Sequence, residues 1–218
     1  MTAISAVEGY ALWAESWDET PSPIVAVEER ALAPWIDQIA PCRAVDVGCG
    51  TGRWTGRWNA LGFDVSAPML AVAARKTGLA GRLAVGSADQ LPVATSSCDA
   101  ALCALTLGHV RECASAMREL ARVLHPGGTL LLTDFHPKAA ANGWRRTFRR
   151  DGEVYELENY AYTIEDLKRY APELELVECR DAFIEEPERA LFERAGRPEL
   201  FEAACRMPAV LLSRWIRR

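Results

Sequence analysis

The sequence predicts an α/β fold, a doubly wound and mainly parallel sheet with helices on both faces, and three observations lead there. Short apolar runs alternate with stretches of helical periodicity along most of the chain. A glycine-rich turn sits directly after one of those runs, at residues 48–52. The runs at 99–107 and 129–133 are apolar on successive residues rather than alternate ones, which suits strands covered on both faces.

Each element has a local reason. Ile24, Val27, Ala31, Leu32, Trp35, Ile36 and Ile39 recur at helical spacing and stop at Pro41, which predicts a leading helix over residues 24–40. Ala44 to Val47 reads as a short buried strand, Gly48 to Gly52 as a tight turn and Arg53 to Asn59 as a helix. A second strand is expected over Leu61 to Val65, then a helix from Ala67 to Lys76 with Ser66 as its N-cap and Pro68 in its first turn. Leu83 to Val85 and Asp99 to Leu107 follow as strands. Arg111 to Leu124 follows as a helix with Ala114, Met117, Leu120, Ala121 and Leu124 turned inward. Pro126-Gly127-Gly128 calls for a turn before the strand Thr129 to Thr133. Residues 137–162 lose periodicity and collect Gly, Arg, Trp, Phe and Tyr, the composition of a lid or cap. A helix near Ile164 to Tyr170 and strands near Leu174 to Cys179 and Ala209 to Ile216 end the pattern.

With 218 residues, the chain suits one domain over residues 1–218, with 1–40 as a helical N-terminal segment and 137–162 as a small cap. A net charge of -5 argues against non-specific nucleic-acid binding, which draws on Lys and Arg meeting phosphates. No apolar run approaches the ~20 residues of a membrane span, and Glu8, Glu15, Asp18 and Glu19 stand where a signal peptide would be basic and then apolar. A cytoplasmic protein without a membrane partner is expected. The seven cysteines (42, 49, 98, 103, 113, 179, 205) form no CxxC pair, so reduced thiols and no metal site are expected.

The glycine turn carries the chemistry. Val45-Asp46-Val47-Gly48-Cys49-Gly50-Thr51-Gly52 places three glycines between a strand and the next segment, where backbone without Cβ can approach a ligand closely. The spacing is GxGxG, with an acid two residues ahead, rather than the GxGxxG of dinucleotide sites. That carboxylate would repel a pyrophosphate and suits a cationic ligand, which counts against a nicotinamide oxidoreductase.

Through this loop the chain resembles the class I S-adenosylmethionine (SAM) dependent methyltransferases, in particular the small UbiE-like group. Ser66-Ala67-Pro68-Met69-Leu70, Gly86 to Pro92, Gly108-His109-Val110 and Arg122 to Gly128 extend the likeness in the same order. The resemblance implies a Rossmann-like, seven-stranded sheet with its last strand antiparallel. It also implies SAM as cofactor and S-adenosylhomocysteine (SAH) as product. Asp46, Gly48, Cys49 and Gly50 would hold the cofactor, Ser87 and Ala88 would lie on its adenine side, Cys103 and Leu105 beside its methionine part, and Tyr10 over it. A ribose-binding acid is expected at the end of the second strand. Asp64 is that acid if the chain is shortened before Phe63; if it is shortened after Val65, the acid is lost.

The implied reaction is methyl transfer to O, N or C of a small-molecule acceptor, in secondary or quinone-type metabolism. His136, after the strand Thr129 to Thr133, is the first candidate base, and His109 the second. Trp144, Tyr155 and Tyr160 are candidates for an aromatic acceptor wall, or for the cap's own core. Arg145 opens a basic run with Arg146, Arg149 and Arg150 that would steer an anionic acceptor, or simply face solvent. An RNA methyltransferase using that run and a degenerate, non-catalytic SAM binder are the alternatives. A monomer or homodimer suits each of these readings.

Overall fold

The computed structural model describes residues 1–41 and 43–218, so Cys42 lies outside the described residues. The chain opens with a strand, β1 (Thr2–Ile4), where the sequence predicts a helical segment. Helix α1 (Ala6–Trp13) is capped by Ser5, whose hydroxyl accepts the Glu8 N–H. Helix α2 (Pro23–Gln38) is capped by Ser22, with Pro23 at a first-turn position where its missing N–H costs nothing.

The βα alternation then runs as expected through β2 (Ala44–Val47), β3 (Leu61–Asp64), α3 (Ala67–Ala74), β4 (Leu83–Val85), β5 (Cys98–Ala104), α4 (Cys113–Val123) and β6 (Leu124–Phe135). The Pro126-Gly127-Gly128 segment does not end the strand ladder. It is absorbed as a wide bulge, because Cys98 faces Leu124 while Ala100, two residues on, faces Thr129.

Residues 137–162 hold helix α5 (Pro137–Ala141) and a hairpin of β7 (Thr147–Arg150) and β8 (Glu153–Leu157). Asp151 and Gly152 both have positive φ, at 51° and 82°, the geometry of a tight Asp-Gly hairpin turn. β1 adds to β8 in parallel, giving a small three-stranded sheet. The N-terminus is therefore part of the cap, a pairing over some 150 residues of sequence that local periodicity cannot disclose.

Helix α6 (Ile164–Tyr170) starts from a capping box of Thr163 and Asp166. β9 (Leu174–Phe183) follows, then α7 (Arg189–Arg194) and α8 (Phe201–Ala204), two short helices without a sequence signal, and finally β10 (Pro208–Arg217).

The seven-stranded sheet has the order β4-β3-β2-β5-β6-β10-β9. β10 runs antiparallel to both β6 and β9, so the reversed strand lies one place inside the edge. The implied Rossmann-like architecture is present.

Successive residues of the central strands go to opposite faces, and both faces are covered. On β5, Ala101 and Cys103 pack with Met117 and Leu120 of α4, while Ala100 and Leu102 pack with Leu32 and Trp35 of α2. The missing alternation in these runs is thus the mark of burial on both sides. A third cluster of Trp13, Phe148 and Leu157 joins α1 to the cap. The six described cysteines are free thiols.

One predicted helix is absent. Residues 51–59 form consecutive turns in place of a regular helix over Arg53 to Asn59. Their hydrogen bonds change span from Trp58→Trp54 to Asn59→Gly56 to Ala60→Thr55. The crossover between β2 and β3 is short, it contains Gly52 and Gly56, and it must bury both Trp54 and Trp58, so a straight helix gives way.

Candidate functional site

Winding reverses between β2 and β5, which are neighbours in the sheet and whose chains leave in opposite directions; such a switch opens a crevice at the carboxyl ends of the strands. A cavity of about 340 Å³ lies there, in the size range of small-molecule sites. It is bounded by the glycine turn, the ends of β3 and β5, residues 86–89 and α1.

The turn is shaped by its glycines. Gly48, Gly50 and Gly52 all have positive φ. A Cβ on Gly48 would meet the Thr106 hydroxyl oxygen at 2.2 Å, so the turn and the end of β5 touch through bare backbone. Gly48 and Cys49 both donate their N–H to the Phe63 carbonyl, at 2.7 and 3.0 Å, which locks the turn onto β3. Leu105 also bounds the cavity and has φ of 53°, a strained conformation for a non-glycine residue, held by hydrogen bonds from its N–H to Thr133.

Two acids flank the turn. Asp64, at the end of β3, accepts the Gly50 N–H on Oδ2 and the Ser66 N–H on Oδ1, both at 2.8 Å. Burial pushes its carboxyl above the usual range, against those hydrogen bonds. Asp64 thus ends β3 and faces the cavity. Asp46 is 2% exposed and accepts the Thr55 hydroxyl at 2.7 Å. Burial pushes its carboxyl up to about 7, although the Thr55 hydrogen bond and the Arg53 charge pull it down.

Arg53 is a residue the sequence did not single out. Its Nη2 pairs with Glu28 of α2 at 2.6 Å, and Glu28 also accepts from Trp54 Nε1 and the Thr133 hydroxyl. Nε and Nη1 of Arg53 are buried without a partner among the described residues, and the side chain borders the cavity. Asp89 is a second such residue: it borders the cavity and accepts the Ser87 hydroxyl, bringing a carboxylate beside Ser87 and Ala88.

Tyr10 and His109 meet across the cavity mouth. The Tyr10 hydroxyl lies 3.0 Å from His109 Nε2, and Arg146 Nη2 donates to the same hydroxyl at 2.9 Å. A guanidinium only donates, so the Tyr10 proton goes to Nε2. Nδ1 then carries the imidazole proton and donates to the Glu158 carbonyl at 2.9 Å. Burial and the Arg146 charge push His109 down to about 3, so it is a neutral imidazole and a weak base.

Tyr10, Asp46, Gly48, Cys49, Gly50, Asp64, Ser87, Ala88, Leu105 and His109 are thus gathered around one cavity. Cys103 is not among them; it is fully buried in the sheet under α4. His136 is also apart. Its Nδ1 caps α5 by accepting the Lys138 N–H, and its Nε2 lies 3.2 Å from Asp181 on β9. Trp144 lies tilted against Phe135 of β6 and packs on the core of the large sheet, while Tyr155 stacks on Phe148 inside the cap, so neither faces the cavity. Tyr160 bonds to Glu158 outside the cavity, under Arg111. Of the basic run, Arg145 pairs with Glu156 and Arg150 with Asp151; Arg146 alone reaches the cavity. Register explains that last difference: neighbouring residues in an extended segment point to opposite sides.

The family model described as "Methyltransferase domain" matches residues 45–132, from the start of β2 to the middle of β6. Residues 45–132 thus match a methyltransferase domain. The chain is 32% identical over 158 residues to an O-methyltransferase of Pyrenophora dematioidea, covering 61% of this chain and 58% of that protein. It is 35% identical over 122 residues to the ubiquinone/menaquinone biosynthesis C-methyltransferase UbiE of Syntrophotalea carbinolica, covering 51% and 49%. The chain thus spans about half the length of the curated relatives it matches. A solved structure of an S-adenosylmethionine dependent methyltransferase from Mesorhizobium loti superposes with a TM-score of 0.64 at 25% identity, covering 88% of this chain and 98% of that one. No described helix is long and apolar enough to cross a membrane, and no group of three or more metal-ligating side chains occurs among the described residues.

Proposed function

We propose that the protein is a SAM-dependent methyltransferase acting on a small-molecule acceptor. The observation that carries this reading is a glycine turn of left-handed backbone, set between the buried acid Asp46 and the half-buried acid Asp64 at the switch point of the sheet. Asp64 would take the ribose hydroxyls, Ser87, Ala88 and Asp89 would border the adenine, and Gly48 and Gly50 would allow backbone to approach the methionine part. Asp46, buried and raised in pKa, suits a ligand with positive charge. Arg53, with two unpartnered nitrogens, suits the carboxylate of the amino acid moiety.

Bound SAM supplies a methyl group on a cationic sulfur. The chain's own contribution is to orient an acceptor against that group and to keep water out, with Tyr10 closing the mouth. His109 is too weak a base to drive deprotonation, so alignment of the two reactants supplies the acceleration. Relatives whose names specify O- and C-methyl transfer leave O, N and C acceptors within the same reading. An RNA acceptor is disfavoured because Arg145 and Arg150 of the basic run are tied to neighbouring carboxylates.

Calorimetric titration with SAM and SAH tests the cofactor assignment, and release of SAH on addition of acceptor pools tests turnover. Binding of SAH, followed by acceptor-dependent turnover, is expected. Absence of binding to both SAM and SAH would overturn the reading.

A further inference from the structure

The cavity has two walls. Asp46, Asp64, Asp89 and Arg53 lie on the side of the glycine turn, and Tyr10, His109 and Arg146 line the side toward the cap, with Arg111 and Glu112 also bordering the cavity. Arg146 is the unusual member. One of its nitrogens donates to the Tyr10 hydroxyl, while Nη1 is buried with no partner among the described residues. Among the described residues no carboxylate forms an ion pair with it, unlike Arg145 beside it, which pairs with Glu156. The nearby Asp134 is occupied, its two oxygens accepting the N–H groups of Gly108 and Phe135. Proteins rarely leave a buried cationic donor unmatched, because the water it gave up is not replaced.

The rest of this wall cannot serve as an anion's competitor. Tyr10 and His109 form a closed relay from the Arg146 N–H to the Glu158 carbonyl, in which every proton is already assigned. Arg146 also borders two further grooves, as Arg145 does, but of the two it alone lines the cavity. Val7, Leu105 and Val110 supply apolar lining to the same cavity.

We propose that Arg146 is the specificity-determining residue for the acceptor, and that it selects a small molecule bearing a carboxylate on an apolar or aromatic body. A buried, unpartnered guanidinium nitrogen beside a neutral imidazole matches a carboxylate, with one negative charge to satisfy; a phosphate presents three acceptor oxygens and more charge than this wall can meet. The proposal rests on the methyltransferase reading and names the acceptor class for that same site.

The test compares benzoate with benzamide, a neutral probe of nearly the same shape, by calorimetry on protein saturated with SAH. Benzoate is expected to bind about ten- to hundredfold tighter, the worth of one charge-assisted hydrogen bond. Arg146→Met should abolish that preference while SAH affinity stays unchanged, Arg146→Lys should keep part of it, and Arg145→Met should keep all of it. Circular dichroism on each variant confirms the fold. Equal binding of the two probes, failure of benzoate to bind, or a preference that survives Arg146→Met would overturn the proposal. So would a loss of SAH affinity in Arg146→Met, which would hand Arg146 to the cofactor. Failure of SAH to bind the parent protein would instead count against the cofactor reading, and the two probes would then be compared on the unliganded protein.

Discussion

Asp64 accepts the backbone N–H of Gly50 at 2.8 Å, so the acid ending β3 and the turn following β2 hold each other in position. The acid thereby shapes the turn as well as lining the cavity. Asp64→Ala should weaken SAH binding by about ten- to hundredfold, the range for losing charge-assisted hydrogen bonds. Asp64→Asn should recover part, because its amide oxygen can still accept from Gly50. Calorimetry on both variants decides, and unchanged SAH affinity in the alanine variant would remove Asp64 from the cofactor site.

Asp46 should make cofactor binding pH-dependent. Its carboxyl titrates at about 7 in the unliganded protein, because burial disfavours the charged form. A cation in the cavity favours the carboxylate and lowers that pKa, so binding below about pH 7 must release a proton. SAM affinity should therefore rise with pH, by at most about tenfold per unit, and level off above neutrality. Titrations near pH 6 in two buffers of different ionisation enthalpy count the proton. Proton uptake, or none exchanged, contradicts the assignment, and Asp46→Asn should abolish the dependence.

The two glycines of the turn should respond differently to alanine. Both have left-handed backbone, a cost of about 1–2 kcal/mol for a residue with Cβ. At Gly48 the new methyl also strikes Thr106 at 2.2 Å, whereas at Gly50 its nearest neighbour is the flexible end of Met69 at 3.2 Å. Gly48→Ala should unfold at clearly lower urea concentration than Gly50→Ala. Gly50→Ala should fold and lose SAH affinity. Identical denaturation midpoints would show that the close approach of Gly48 to Thr106 is not a constraint in solution.

His136 offers a further separation of roles. As the cap of α5 it should cost about 1 kcal/mol of stability when replaced by alanine. SAH binding and turnover should be unaffected, since its side chain faces Lys138 and Asp181 rather than the cavity. A turnover loss of the size expected for a general base, about a hundredfold or more, would restore it as a catalytic group.

Much of this was legible in the order of residues. The βα alternation, the two-sided burial of β5 and β6, the capped helices α2 and α3, and the glycine turn with its leading acid are local signals. Strand and helix periods differ, and glycine alone tolerates the backbone of such a turn. The resemblance carried by the same segments also singled out residues from Asp46 to Ala88 that the structure gathers around one cavity.

What the local pattern could not supply depends on residues far apart. Only the tertiary structure decided that β1 would join the cap. It also turned Arg146, and not Arg145, into the cavity, and left two nitrogens of Arg53 without partners among the described residues beside the glycine turn. The same holds for His136 and His109, two histidines that each follow a central strand. One was drawn into a helix cap and the other into the cavity wall, because hydrogen bonds to Asp181 and to Tyr10 form only once β9 and α1 have packed. Periodicity selects which elements form; burial and the pairing of polar groups between distant elements decide which side chains face a ligand.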